Sequence, residues 1–234
     1  MAKVTFAGKE YTGTELTDAE RDLLFKHVFN YLAAGNDFLR GTFDLNKESI
    51  ESAVMVAKSK LEAPFNGILA GDSQIGVQLI RPGHIMRGTG ATETPLNTWD
   101  SFGITSGGGA FVSGSDNWIG YGADNATAVN IDKEALLTPM GIMFSQGQAP
   151  VVSEVRFQIG ETTYPVTGLR NAFVADTPNR IRAVRFHPLL MEPKQTVLGV
   201  AWSESGGRQE MQLLGLTFGL GRFLRQQSYS SVSV

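Results

Sequence analysis

The stretch from Val151 to Leu216 constrains the fold most, because it consists of short alternating runs separated by turn residues. Residues 155–159 alternate strictly between apolar and polar side chains, and this period of two is typical of a half-buried β-strand. The pair Gly160-Glu161 follows, and a glycine at the first position of a two-residue loop favours a hairpin turn. Pro165 predicts that the return strand lies at a sheet edge or is broken there, because proline has no N–H to donate.

The second half of the same stretch predicts three more strands. The first runs from Ile181 to His187 and ends at Pro188. The other two, Thr196 to Ser203 and Arg208 to Leu216, flank a short loop that contains glycine. Two β-rich runs around such a loop predict a second hairpin. The stretch as a whole favours an antiparallel, mainly β body.

Residues 1–65 predict a helical unit that follows a short strand and a turn at Gly8. Thr17 and Glu20 have the spacing of a capping box, and apolar residues then recur at helical intervals as far as Gly35. Two helices bury too little apolar surface to fold alone. We therefore expect this unit to pack on the rest of the chain or on a neighbouring subunit.

A second helix is predicted from Lys47 to Glu62, with Asn46 as its N-cap. Leu45 and Ile50 have the spacing of a hydrophobic staple, in which two apolar side chains pack across the start of a helix. Residues 36–43 are interpreted as a connector between the two helices.

The residues between the helical unit and the β-rich stretch are less regular. Ile75 to Ile80 predicts a strand, Asp132 to Leu137 a single helical turn, and Met140 to Phe144 a short buried strand. Residues 99–122 are rich in glycine and aromatic residues and predict a long loop. Residues 225–234 are polar and are expected to be extended or disordered unless a neighbour binds them.

Composition sets the remaining bounds. The chain of 234 residues is long enough for a sizeable core, and its division is interpreted as a helical unit (1–65), a β-rich body (66–224) and a polar tail (225–234). Cysteine is absent, which excludes disulfides and thiol chemistry. Charged residues make up only 18%, against roughly 25% in ordinary domains. This low charge favours either a surface covered by copies or partners, or one rich in neutral polar residues.

Neither end of the sequence nor its interior predicts a membrane segment. The residues after Met1 contain no apolar run, so no signal peptide is expected. No window approaches the roughly 18 apolar residues of a membrane span. We therefore expect synthesis in a cytoplasm.

No catalytic motif is recognisable. His27, His84 and His187 are far apart and have no metal-ligand spacing, so each is interpreted as structural. Gly107-Gly108-Gly109 lacks the following Lys and Ser or Thr of a phosphate-binding loop. The sequence therefore predicts no enzyme, no cofactor and no metal site.

Five arginines in the C-terminal third are candidates for an interface or for a surface that faces nucleic acid. They are Arg180, Arg182, Arg185, Arg222 and Arg225. Arginine binds phosphate without reading sequence, as non-specific contact with a genome requires. Ion pairs between subunits, or plain solvation, are the alternative.

Aromatic residues in the Gly-rich segment leave a second function open. Trp99, Trp118 and Tyr121 could stack on sugars, and Asp100 and Asp116 lie among them. These residues predict a carbohydrate-binding or carbohydrate-active β-sandwich module. The alternative is that the aromatic side chains only anchor the loop.

Taken together, the sparse charge, the missing cysteine, the capped helices before a β-rich body and the long loop resemble virion structural proteins, in particular capsid subunits of bacterial or archaeal viruses. The resemblance concerns composition and architecture. It implies an α+β, mainly β fold, with the helical unit followed by an antiparallel, jelly-roll-like sandwich, or alternatively the mixed α+β fold of tailed-phage capsids. It further implies a large homo-oligomer in the virion, contact with other virion proteins and with the genome, and no catalysis.

Overall fold

A computed structural model describes residues 2–87, 93–96, 115–119, 129–144, 152–165, 167–168, 182–203, 205–207 and 211–229. The α-helices in these ranges are Asp18–His27 (α1), Asp37–Leu45 (α2), Lys47–Leu61 (α3) and Gly221–Tyr229 (α4). A π-helical turn, Val28–Leu32, extends α1, and 3-10 turns occupy Gly67–Leu69 and Pro82–His84.

The strands account for most of the body. They are Ala2–Phe6 (β1), Lys9–Gly13 (β2), Ile75–Leu79 (β3), Ile85–Arg87 (β4), Thr94–Pro95 (β5), Ser115–Ile119 (β6), Val129–Ile131 (β7), Ala135–Phe144 (β8), Val152–Ile159 (β9), Thr162–Thr163 (β10), Thr167–Gly168 (β11), Arg182–Arg185 (β12), Thr196–Ser203 (β13) and Met211–Leu220 (β14).

These strands form a hairpin and two antiparallel sheets. The hairpin joins β1 and β2. An eight-stranded sheet has the order β10-β9-β13-β7-β4-β5, with β11 paired to β9 and β6 paired to β13. A four-stranded sheet has the order β12-β8-β14-β3. The prediction of an α+β, mainly β fold with an antiparallel sandwich is confirmed.

The four-stranded sheet is the middle of three layers. On β8, Leu136 and Met140 pack in a hydrophobic cluster with α3, while Leu137 and Ile142 pack in a second cluster with the eight-stranded sheet. The helix α3 contacts both β8 and β14, and the β1–β2 hairpin packs on α3. The helical unit therefore packs on the body, as the small buried surface of two helices requires.

The burial of both faces of the central strand β14 explains why its residues are mostly apolar. Met211 and Leu213 belong to the cluster shared with the eight-stranded sheet, and Leu216 and Phe218 belong to the cluster under the helices. A strand with both faces covered is apolar throughout instead of alternating.

A β-bulge accommodates a proline inside this sheet. The pairing of β14 with β8 passes from Leu214–Gly141 to Gly215–Pro139, so β8 has one residue more than β14 at this point. Gly215 has a φ of +155°, and a Cβ atom there would lie 2.2 Å from the backbone oxygen of Thr138. Only glycine fits this position without moving the neighbouring strand.

This arrangement corrects the prediction of a helical turn over Asp132 to Leu137. Asp132 accepts a hydrogen bond from the backbone N–H of Glu134 at 2.7 Å in a turn, and β8 begins at the next residue, Ala135. Pro139 does not end the strand, because a proline, which has no N–H to donate, is tolerated at a bulge.

One predicted hairpin is confirmed and the other is wrong. Gly160, with a φ of +58°, joins β9 to β10 as expected. The runs on either side of residues 204–210, however, form β13 and β14, which belong to different sheets. The connection crosses the sandwich, because each strand buries its apolar side chains against partners that are distant in sequence.

The first helix begins as predicted. The Thr17 hydroxyl accepts from the backbone N–H of Glu20 at 3.2 Å, and the Glu20 carboxylate accepts from the backbone N–H of Thr17 at 2.9 Å. The same carboxylate pairs with Lys58 of α3 at 2.7 Å. Burial alone would raise the pKa of Glu20, but the hydrogen bonds from Lys58, Thr17 and Phe65 lower it.

The interpretation of residues 36–43 as a connector is wrong, because α2 begins at Asp37. The side-chain oxygen of Asn36 accepts from the backbone N–H of Leu39 at 3.0 Å and so caps this helix.

The cap and staple predicted for α3 are also wrong. The Asn46 side chain donates to the backbone oxygen of Thr42 at 2.8 Å instead of capping α3. Leu45 is 72% exposed, whereas Ile50 is fully buried, so the two side chains do not pack together as a staple. The close approach of α2 to α3 leaves Leu45 on the outside of the turn.

The polar tail is helical from its predicted start at Arg225 as far as Tyr229, which differs from the extended segment expected. Phe223 and Leu224 are buried and anchor α4 against the body. The amphipathic start of α4 thus outweighs the polar composition of the residues after it. Residues 230–234 lie outside the described ranges.

Candidate functional site

Exposed apolar side chains converge on one side of the helical layer, although they come from two separate segments. Tyr31 is 55% exposed, Ile68 37% and Leu69 77%. Both segments meet at His27, which is itself buried. The His27 ring lies edge-on to Tyr31 with ring centroids 5.5 Å apart, and His27 Nδ1 accepts from the backbone N–H of Ile68 at 3.1 Å. We call the group of Tyr31, Ile68 and Leu69 the helical patch.

Beneath the helical patch, the backbone of Gly67 lies close to His27. Gly67 has a φ of +62°, and a Cβ atom there would lie only 1.8 Å from His27 Nδ1. Burial, together with the charge of Lys26, lowers the pKa of His27, so the ring is neutral at pH 7. Tyr31 belongs to the π-helical turn, a rare conformation that occurs frequently at functional sites. His27 thus contacts both segments that form the patch.

A second exposed surface covers the outer side of the eight-stranded sheet. Trp202 lies on β13 directly opposite Glu154 on β9, and it is 40% exposed. Along the same two strands, Val200 pairs with Arg156 and Leu198 pairs with Gln158. Paired residues share a face of the sheet. We call this surface the sheet face and define it by Trp202, Leu198, Glu154, Arg156 and Gln158.

One of the three predicted sugar-stacking residues lies on a strand beside this face. Trp118 belongs to β6, where its backbone is paired with Val200 of β13. Trp99 and Tyr121 lie outside the described residues. Sequence reasoning missed Trp202, although its position in an alternating strand was a signal that it points away from the core.

Arg185 binds within the subunit. Its Nε donates to Thr42 Oγ1 at 2.8 Å, its Nη2 donates to the backbone oxygen of Phe38 at 3.2 Å, and its guanidinium lies 4.4 Å from the Phe38 ring centroid. These contacts join edge strand β12 to α2.

Arg222 and Arg225 hold α4 against the body. Arg222 binds both carboxylate oxygens of Glu134, which precedes β8. Arg225 donates to the backbone oxygen of Ala70 at 2.7 Å and pairs with the carboxylate of Asp72. Both arginines thus have partners on the loops at either side of α4.

The four candidate arginines within the described residues lie on two separate elements of the structure. Arg182 and Arg185 lie on β12, at one edge of the four-stranded sheet, whereas Arg222 and Arg225 lie on α4, which contacts β3 at the opposite edge. Arg180 lies outside the described residues. The predicted arginine surface therefore stays a prediction, because its described members lie at opposite edges of the four-stranded sheet.

The histidines are likewise separate. His84 is fully buried between β14 and α4: its Nδ1 accepts from the backbone N–H of Arg81 at 3.1 Å and lies 2.8 Å from Thr217 Oγ1, and its ring faces Phe223. Burial, with a smaller effect of Arg81, lowers the pKa of His84 to about 3. No group of three or more His, Asp or Glu in the described part of the chain could hold a metal ion.

A cavity of about 490 Å³ opens beside the β1–β2 turn. Its described lining is mostly apolar, with Phe157, Phe186 and Leu189, and its polar groups come from Tyr164, Arg185 and other side chains at the edge. These lining residues include no carboxylate, so they provide no paired acid and base of the carboxylate type.

None of the helices in the described ranges is long and apolar enough to cross a membrane. Comparison with protein-family models and with curated proteins found no match to this chain. Its function is therefore inferred from the two exposed surfaces.

Proposed function

We propose that this protein is a virion structural subunit that assembles with copies of itself into a capsid shell and has no catalytic role. The observation that supports the proposal is the helical patch, where Tyr31, Ile68 and Leu69 expose apolar surface around the buried His27. Contiguous apolar patches on a soluble protein mark interaction sites. Such a patch costs free energy in water unless a partner covers it.

A second copy of this chain is the partner that the chain as a whole favours. The surface carries few charges, so self-repulsion between copies is weak. His27 already holds the two segments of the helical patch together, which lowers the entropy cost of ordering them on binding. In the virion, further copies, other virion proteins and the genome would cover the remaining surfaces.

The arginines have a different role in this proposal. Arg185, Arg222 and Arg225 each have partners inside the subunit, which favours internal bracing over contact with nucleic acid. These internal contacts would keep α2 and α4 in place when neighbouring subunits bind in a shell.

The proposal is tested by the mass of the purified protein in light scattering, with electron microscopy of the same sample. We expect the wild type to form large, regular particles. Leu69→Asp places a charge in the helical patch and should shift the mass toward the monomer. Leu45→Asp is the matched control, since Leu45 is about as exposed but lies at the end of α2. It should assemble like the wild type.

A monomeric wild type over a range of salt and protein concentrations would contradict the proposal. Equal loss of assembly in both leucine variants would show that added charge, and not the helical patch, controls association.

A further inference from the structure

We propose that the sheet face is a binding site for a neutral carbohydrate. In this site the indole of Trp202 supports one sugar ring by stacking, while Glu154, Arg156 and Gln158 form hydrogen bonds to hydroxyl groups. The site belongs to the outer surface of the eight-stranded sheet, away from the helical layer.

Paired strands surround Trp202, which lies next to a register shift between Trp202 and Ser203. The strand β13 is paired with β9 from Val197 to Ser203 and with β6 from Gly199 to Ser203. On the exposed side of β13, Val200 is 8% exposed while Trp202 is 40% exposed. Trp202 is therefore the more exposed of the two, and the exposed part of its side chain is available to a ligand.

The charged neighbours of Trp202 favour a sugar over a protein partner. The cores of protein interfaces are depleted in charged residues, because carboxylate and guanidinium groups lose their hydration there. Here Glu154 is directly opposite Trp202, and Arg156 is two residues away on the same face. A sugar ring can pack its C–H groups on the indole while its hydroxyls donate to Glu154 and accept from Arg156 and Gln158.

The balance of charge and the shape of the surface narrow the class of ligand. One carboxylate and one guanidinium flank the indole, so the face gives no preference for a polyanion. A shallow cavity of about 180 Å³ adjoins the face and is lined by Arg156, Gln158, Thr163, Leu198 and Val200. It extends the contact surface along the strands, which fits a chain of two or more neutral sugar units.

The test uses the whole protein and three soluble neutral polysaccharides: hydroxyethyl cellulose, laminarin and galactomannan. Affinity electrophoresis and isothermal titration calorimetry measure binding. We expect the wild type to bind at least one of them and Trp202→Ala to bind it about tenfold more weakly or not at all. Trp202→Phe keeps an aromatic face and should retain part of the affinity. Leu45→Ala removes an exposed apolar side chain at the end of α2, outside both surfaces, and should bind as the wild type does.

Three results would overturn the inference. The first is a wild type that binds none of the three polysaccharides, and the second is unchanged binding by Trp202→Ala. The third is a Trp202→Ala protein with altered mass in light scattering and no sugar binding in either form, which would identify the face as a contact between proteins. Should Trp202→Ala fail to fold, Gln158→Ala gives the same readout from an exposed side chain. Assembly through the helical patch can fail or succeed independently of this result.

Discussion

The two sheets of this protein are joined in one sandwich, yet their surroundings differ completely. The four-stranded sheet is covered on one side by helices and on the other by the eight-stranded sheet. The eight-stranded sheet packs on the four-stranded sheet with one face. On its other face, the side chains at 154, 156 and 158 of β9 and Trp202 of β13 are exposed. The difference indicates that the two sheets contribute to different properties of the protein. Substitutions in the four-stranded sheet should affect folding, and substitutions on the outside of the eight-stranded sheet should affect binding.

The largest contrast is expected between Phe218→Ala and Trp202→Ala. Phe218 is fully buried in the cluster under the helices, so its truncation should lower the free energy of unfolding by about 3–5 kcal/mol. Trp202 is partly exposed, so its truncation should lower the free energy of unfolding by about 1 kcal/mol or less. Urea denaturation followed by circular dichroism measures both. Similar losses of unfolding free energy in the two variants would contradict the different contributions of the two sheets.

A second contrast comes from one added methyl group in each sheet. Gly215→Ala places a Cβ atom 2.2 Å from the backbone oxygen of Thr138, so the strands must move, and we expect a loss of roughly 2–4 kcal/mol. Gly168→Ala, in β11, meets no atom within 4 Å and should change stability by less than about 0.5 kcal/mol. The same urea experiment applies. A tolerated Gly215→Ala would show that the bulge can shift.

A substitution of His84 tests the contact between the two sheets. His84 precedes β4 of the eight-stranded sheet and contacts Thr217 of the four-stranded sheet. Its pKa is lowered to about 3 in the folded protein, so the unfolded chain binds the proton more tightly. The stability that His84 contributes is complete above its ordinary pKa of about 6.5. It should decline by about 1.4 kcal/mol per pH unit as the pH falls toward 3.

The measurement is the free energy of unfolding between pH 7 and 4 for the wild type and for His84→Gln. The variant has no imidazole to protonate, so its pH dependence should be flatter over this range. An equal slope in both proteins would assign the acid sensitivity to carboxylates instead.

The smallest effect concerns the helices that cover the four-stranded sheet. Thr17→Ala removes the hydroxyl that caps α1 and should cost about 1 kcal/mol, since the Glu20–Lys58 pair remains. Thr14→Ala alters a nearby exposed threonine with no role in the cap and should be close to neutral. Differential scanning calorimetry resolves the two. A single transition in both variants would show that the helices and the sheet unfold together.

Features decided by neighbouring residues could be predicted from the sequence. The capping box of Thr17 and Glu20 and the turn at Gly160 depend on a few adjacent side chains, and both are present. The mainly β character of the body also follows from periodicity alone.

Features decided by distant partners could not be predicted. Residues on either side of 204–210 have the pattern of a hairpin, but their pairing with β9 and β8 separates them into two sheets. Pro139 is acceptable in a central strand only because Gly215 faces it across the bulge. The helical patch depends on the meeting of Tyr31 and Ile68 at His27, and nothing in the two local sequences reveals that contact.

The position of β14 has a consequence for biosynthesis. This strand fills the gap between β8 and β3, yet more than half of the chain separates it from β3. At the ordinary pace of translation, on the order of ten seconds pass between the emergence of the two strands from the ribosome. During that interval α3 and Phe65 have no Phe218 to pack against. Nascent chains that stall before residue 211 therefore expose this apolar surface and are expected to depend on chaperones.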